Sequence, residues 1–211
     1  MTEPSPTNPR AVLYLATWLP SELHDQFSAW CDDHHREQLE LPGFQRARRF
    51  EWVSGGREDN PPQYLTMYDL DSLAVLHSDA YVEHTKSSGG LPEFLRGKIR
   101  VERRNCEVLA ALPSKWWPPT RTPLLDVFHL NDDKLAIGLQ EHITVLDAAA
   151  RPSADNVTVR IIDSEDNEPL VLLDHSESAT EMINTITAAS GSLRSSWRCA
   201  FDELSDASVQ P

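Results

Sequence analysis

Residues 27–50, FSAWCDDHHREQLELPGFQRARRF, hold the densest group of chemically capable side chains in this sequence. His34 and His35 stand side by side, directly after Asp32 and Asp33. An imidazole titrates near neutrality and can give or take a proton, and a neighbouring carboxylate can orient it. Arg46, Arg48 and Arg49 follow on a strand-like run. A guanidinium grips a carboxylate or enolate through two parallel hydrogen bonds. Tyr64 and Tyr68 add hydroxyls that can polarise a carbonyl. Proton transfer on a small anionic or carbonyl-bearing molecule is the chemistry these residue types allow. Each also has a plain structural use. Histidines favour the negative end of a helix, and arginines pair with surface acids.

The positioning elements follow from the hydrophobic pattern. Residues 11–19 alternate as a strand. Pro20-Ser21-Glu22 opens a helix with Ser21 as its expected N-cap. Leu23, Phe27, Trp30 and His34 form one helical stripe, which predicts that His34 faces the sheet. His35 then lies about 100° further round. Pro42-Gly43 ends the helix. In the strand 44–53, alternation puts Phe44, Arg46, Arg48, Phe50 and Trp52 on one face. Ser54-Gly55-Gly56 turns the chain into a third strand, 63–70, where Tyr64 and Tyr68 share a face. Tyr14 and Trp18 share a face of the first strand, and with Phe50 and Trp52 they would line an apolar cleft with a few polar tips. The alternative is ordinary aromatic packing between sheets. A helix over 72–86 carries His77, Tyr81 and His84 on one face. That pair of histidines alone is a poor metal signal, although His34 or His35 would bring a third imidazole. A fourth strand over 98–112 completes βαββαβ, the ferredoxin-like split unit.

The same order then restarts. Residues 113–122, with Trp116, Trp117 and several prolines, read as a linker. Strands are expected at 123–130, 156–163, 169–176 and 196–204, with helices over 132–148 and around Met182–Ile186. The expected organisation is a disordered lead at 1–10, a first unit at 11–112 that is the functional half, the linker, a second and degenerate unit at 123–205, and a tail at 206–211. The expected fold class is α+β: two tandem ferredoxin-like units packed sheet to sheet as an intrachain α/β barrel.

Trp30 followed by acids and His, Leu41-Pro42-Gly43-Phe44, Ala47-Arg48-Arg49-Phe50, the Tyr64–Leu70 strand and Ser78-Asp79-Ala80-Tyr81 together resemble the dimeric α/β-barrel superfamily in its EthD-like branch. The resemblance covers about residues 11–112. Proteins of this kind are usually homodimers of one unit, and they include cofactor-independent monooxygenases, lactone isomerases, dehydratases and heme-dependent enzymes. The family histidine falls on His34 counted back from Pro42, or on His35 counted forward from Trp30. The second half has no Pro-Gly-Phe and no helical His pair, which favours a single working cleft.

The resemblance and the residues together imply a cofactor-independent small-molecule enzyme acting on an aromatic or polyketide-like carbonyl or carboxylate compound. The reaction would be isomerisation, cyclisation, lyase chemistry or monooxygenation. His34 or His35 would be the acid or base, and Tyr64 or Tyr68 would polarise the carbonyl. Arg46 or Arg48 would hold the anion, with Trp18, Phe50, Trp52 and Tyr81 around it. The alternatives are a non-catalytic metabolite-binding protein and a heme-binding member of the same superfamily. No metal is expected, the His77 and His84 pair being a poor signal, and no organic cofactor, since no glycine-rich phosphate loop opens a helix.

Composition narrows the partners. Of 211 residues, 19 are Lys or Arg and 33 are Asp or Glu, for a net charge of −14. Nucleic acid and anionic membrane surfaces would be repelled. No apolar run approaches the ~20 residues of a membrane span. Cys31, Cys106 and Cys199 lie far apart without metal-type spacing, so free thiols and a cytoplasmic location are expected. A small molecule is the expected partner, with a further homodimer of the fused unit as an option.

Overall fold

The computed structural model describes residues 8–56, 60–87, 91–112, 122–129, 157–164, 167–176 and 194–205. The expected second-half helices, most of the linker and most of the lead lie outside them.

Eight strands run β1 (Ala11–Trp18), β2 (Phe44–Gly55), β3 (Tyr64–Leu70), β4 (Arg100–Leu112), β5 (Leu124–His129), β6 (Val157–Ser164), β7 (Asn167–His175) and β8 (Arg194–Leu204). They close into one antiparallel barrel in the order β1-β3-β2-β8-β5-β7-β6-β4. The first half contributes β4-β1-β3-β2 and the second β8-β5-β7-β6, so both halves use the same spatial order. The seams are β2 with β8 and β4 with β6. Closure leaves no unpaired edge. The sequence expectation of an intrachain α/β barrel describes this architecture. Among the described residues no helix is long and apolar enough to cross a membrane, and all three cysteines are free.

Two helices of the first half, α1 (His24–Leu39) and α2 (Asp79–Ser87), lie on the outside. Strand alternation divides the apolar side chains accordingly. Val12, Tyr14, Ala16 and Trp18 of β1 point into the barrel, with Phe50, Met67 and Trp197. Ala11, Leu13, Ala47 and Tyr68 face outward, in a layer with Leu39 and Leu76. A third cluster joins Phe27 and Cys31 of α1 to Tyr64 and Leu95.

Two details differ from the simple periodic reading. First, α1 buries Phe27, Cys31, His35 and Gln38, so His35 and not His34 faces the sheet. The chain enters α1 through a 3₁₀ turn at Ser21–Leu23 with no side-chain cap bond. Leu23, Phe27, Cys31 and His35, each four residues apart, make the buried stripe, and Trp30 and His34 lie at its edge. Second, the register of β2 against β3 shifts between Phe44 and Arg46. This bulge puts Phe44 against the helices and Phe50 inside the barrel. The expected common face of Phe44, Arg48 and Phe50 is thereby broken.

Gly43 joins α1 to β2 at φ 88°, and a Cβ there would collide with the Val75 side chain. Gly43→Ala should cost about 1–2 kcal/mol for the left-handed backbone alone, and more because β-branched Val75 is stiff. A lowered urea midpoint with an unchanged slope would register it.

Candidate functional site

The histidine pair is split by the helix. His35 is fully buried. Its Nε2 lies 3.2 Å from Cys31 Sγ, and its ring packs 4.8 Å from Phe201 and 5.4 Å from Tyr68. Burial, with the charges of Arg49, His34 and Arg36 adding to it, lowers its pKa to about 3. The ring is therefore neutral at physiological pH. A heme held through this imidazole does not fit, because rings and helix enclose it. Burial also pushes the Cys31 thiol up to about 11 and raises Tyr68 well above its ordinary value. Thiol and phenol keep their protons and the imidazole is neutral, so this cluster is uncharged and enclosed. His34 instead stacks on Trp30 at 4.9 Å, half-buried near His84.

Arg49 also sits in the layer beneath α1. It donates to the Ser28 carbonyl at 2.9 Å and to Asp32 at 2.6 Å, with its guanidinium 5.6 Å over the Tyr64 ring. Tyr81 stacks on Phe44 at 5.7 Å.

The barrel interior carries a closed charge network. Arg48 pairs with Asp174 and lies 3.7 Å from Asp69. Arg160 bridges Asp69 at 2.5 Å and Asp174 at 2.9 Å. All four are buried. Burial alone would raise the Asp174 pKa, but Arg48, Arg160 and Arg46 outweigh it and hold the carboxyl at about 2. Arg46 forms a two-pronged pair with Asp202, both contacts at 2.7 Å. The guanidiniums expected to hold a substrate anion thus already hold the protein's own carboxylates. Phe50 lies 5.2 Å beneath Arg48, and Trp18 is covered by Arg100 at 3.5 Å. These aromatics fill the interior.

The open cavities among the described residues include a smaller and a larger one that bear on function. The smaller, about 450 Å³, is lined by His24, Glu51, Trp52, Pro61, Gln63 and Tyr64. It brings together two residues singled out by sequence, Trp52 and Tyr64, with His24 5.5 Å from the Tyr64 ring. Gln63 is occupied there, bonded to Leu19 N–H and to the Pro61 carbonyl.

The larger, about 670 Å³, opens over β5, β7 and β8 beside the end of β2. Its wall includes Val53, Gly55, Leu124, Asp126, His175, Arg194, Trp197 and Arg198. Asp126 is its polar centre. His175 Nε2 lies 3.0 Å from Asp126 Oδ2, and Arg194 Nη2 lies 2.8 Å from the same oxygen. His175 Nδ1 bonds the Ser176 carbonyl at 2.9 Å. Burial raises the Asp126 pKa, and hydrogen bonds from His175, Ser196 and Arg194 more than reverse that, so the carboxyl stays ionised. Gly55 lets β2 approach β8 here. Its φ is 81° and a Cβ would strike the Arg194 carbonyl, which accepts the Gly56 N–H at 2.9 Å.

None of the catalytic or substrate-binding residues expected from the sequence lines this cavity, and His175 stood out there only as a histidine beside a second-half strand with no evident partner. His175 had no visible partner in the sequence because Asp126 is 49 residues away. The only signal was register: Leu124 opposes both His175 and Arg198, and Asp126 opposes Ser196. Pairing fixes that, and composition does not.

No protein-family model and no curated protein matches this sequence. Solved structures do match it over nearly their whole length. Two carry the name "putative monooxygenase". The one from Fusobacterium nucleatum has 9% identity and a TM-score of 0.59, covering 94% of this chain and 96% of its own. The one from Lactobacillus acidophilus has 8% identity and a TM-score of 0.55, covering 94% and 97%. An anthrone oxidase-like protein has 12% identity and a TM-score of 0.59, covering 95% and 94%. At these identities the shared property is the fold, the ferredoxin-like dimeric α/β barrel completed within one chain.

Proposed function

We propose that this chain is a small-molecule enzyme of the oxidase or monooxygenase type, a single-chain relative of the EthD-like proteins. Its substrate is an enolisable aromatic carbonyl or carboxylate compound. The observation that carries this is the larger cavity. In a protein of net charge −14, its wall sets Arg194, Arg198 and His175 against one carboxylate, beside the apolar Val53, Leu124 and Trp197. Such a wall suits an anion with a flat apolar body. The names of the structural neighbours point the same way.

In this reading Arg194 and Arg198 hold the enolate oxygen, and the Asp126–His175 pair is the proton-holding unit. Dioxygen then reacts at the carbanionic carbon without an organic cofactor. One oxygen atom becomes the new carbonyl, and the other leaves as water with the two hydrogens lost from carbon. The acid–base role expected for His34 or His35 passes to His175, because His35 is enclosed and His34 lies outside the cavity. Trp18, Arg46, Arg48 and Phe50 pack within the barrel, and Tyr68 and Tyr81 pack the layer between it and the helices. Trp52 and Tyr64 belong to the smaller opening.

Oxygen uptake with anthrone as the probe, using protein free of added flavin, nicotinamide and heme, tests this. Arg194→Gln and Arg198→Gln should each raise KM about tenfold or more, the scale of one hydrogen bond to a charged group. Turnover indifferent to both changes would remove the cavity from the reaction. One observation favours sequestration without turnover: both His175 nitrogens already face oxygen acceptors. Thermal stabilisation by the aromatic anion with no oxygen consumed would select that reading.

A further inference from the structure

We propose that His34, Glu37 and His84 form a binding site for one divalent first-row transition-metal ion, which fastens α2 to α1. One ligand atom from each residue lies within 4.8 Å of the other two. His34 and Glu37 are one helical turn apart on α1, and His84 comes from α2. The site stands on the helices of the first half, and none of its residues lines either cavity.

Three observations carry the proposal. His84 Nε2 is buried and has no hydrogen-bond partner. A buried imidazole nitrogen without a partner costs free energy unless something binds it. His34 is held in place by its stack on Trp30, 4.9 Å away with the planes 14° apart, and its ring faces His84 at 6.2 Å. His34 Nδ1 and Glu37 Oε2 are 3.8 Å apart, beyond hydrogen-bond reach. A tetrahedral ion with bonds of about 2.0–2.2 Å draws its donors to about 3.4 Å from each other. Small side-chain rotations reach that spacing.

Two imidazoles and one carboxylate suit zinc, iron(II) or cobalt(II), whereas magnesium and calcium prefer all-oxygen shells. The half-buried setting leaves a fourth position for water. The consequence falls on α2. This nine-residue helix buries none of its side chains, and so short a helix is marginal by itself. A shared ion adds a second tie to the one that Tyr81 makes by stacking on Phe44. Neither the barrel nor the larger cavity depends on it, so this inference stands apart from the proposed function.

The test is titration of the full chain, free of any affinity tag, with Co²⁺ and Zn²⁺. Expected are one ion per chain, visible Co²⁺ absorption of low-coordinate type, and slower amide exchange across α2 on binding. His84→Ala and His34→Ala should each weaken binding by more than about 100-fold, because even outer-shell partners cost about 10- to 100-fold. His77→Ala, outside the cluster, should bind as the parent does, and millimolar Mg²⁺ should not compete. Circular dichroism checks that each variant is folded. Zinc binding by the His34→Ala/Glu37→Ala/His84→Ala triple variant as tight as by the parent overturns the site. Equal weakening by His77→Ala, or α2 exchange unchanged by bound metal, overturns it too.

Discussion

Asp174→Ala should destabilise the protein by about 3–5 kcal/mol, the scale for leaving a buried charge without its partner. Asp174 is shared by Arg48 and Arg160 inside the barrel, so its loss leaves two guanidiniums with only Asp69 between them. A small domain holds about 5–15 kcal/mol in total, so this one change removes a large fraction. Replacing the whole quartet, Arg48, Asp69, Arg160 and Asp174, by apolar residues of similar volume should cost much less or nothing. Attraction inside such networks roughly offsets the desolvation of its members. Urea midpoints of the single and quadruple variants decide it. A single variant close to parental stability would mean that water reaches the quartet and the barrel is not closed around it.

The same carboxylate gives an acid signature. Its folded pKa, about 2, is below the ordinary 3.8. Its contribution is therefore complete above pH 3.8 and is lost as pH falls to 2. The size is about 2 kcal/mol.

His35 should produce the second large effect, at higher pH. Its folded pKa of about 3 lies below the ordinary 6.5. Below pH 6.5 the unfolded chain takes up a proton that the folded protein refuses. Stability is thus complete above pH 6.5 and declines toward pH 3, at up to about 1.4 kcal/mol per unit and about 5 kcal/mol in all. His35→Phe fills the space between Tyr68 and Phe201 with a ring that cannot titrate. Its stability curve should be flatter than the parent's between pH 6.5 and 4. An NMR titration should find the His35 ring neutral down to pH 4. Equal slopes in parent and variant, or an imidazole titrating near 6.5, would mean that the ring reaches solvent.

Strand periodicity carried most of the fold. The alternation in AVLYLATW and QYLTMYDL sets which side chains enter the barrel, and the repeated strand order predicted closure. The site was much less legible. Helical phase misled over His34, because the step from Phe27 runs by four to Cys31 and His35, not by three to Trp30. A bulge at the start of β2 separated Phe44 from the arginines. The decisive pairs, Arg48 with Asp174 and His175 with Asp126, join residues 126 and 49 positions apart. Local pattern contains nothing about such distances. It identified charged residues worth asking about, and register across β5, β7 and β8 decided their company.

Both seams of the barrel, β2 with β8 and β4 with β6, join strands of one polypeptide. Assembly is therefore unimolecular, and dilution cannot separate the halves. It also frees the two halves from matching each other. A substitution in β8 changes one wall once, whereas in a symmetric pair of identical units it would appear twice. One half can drift in sequence while the other keeps the shape, an independence that two identical units do not have.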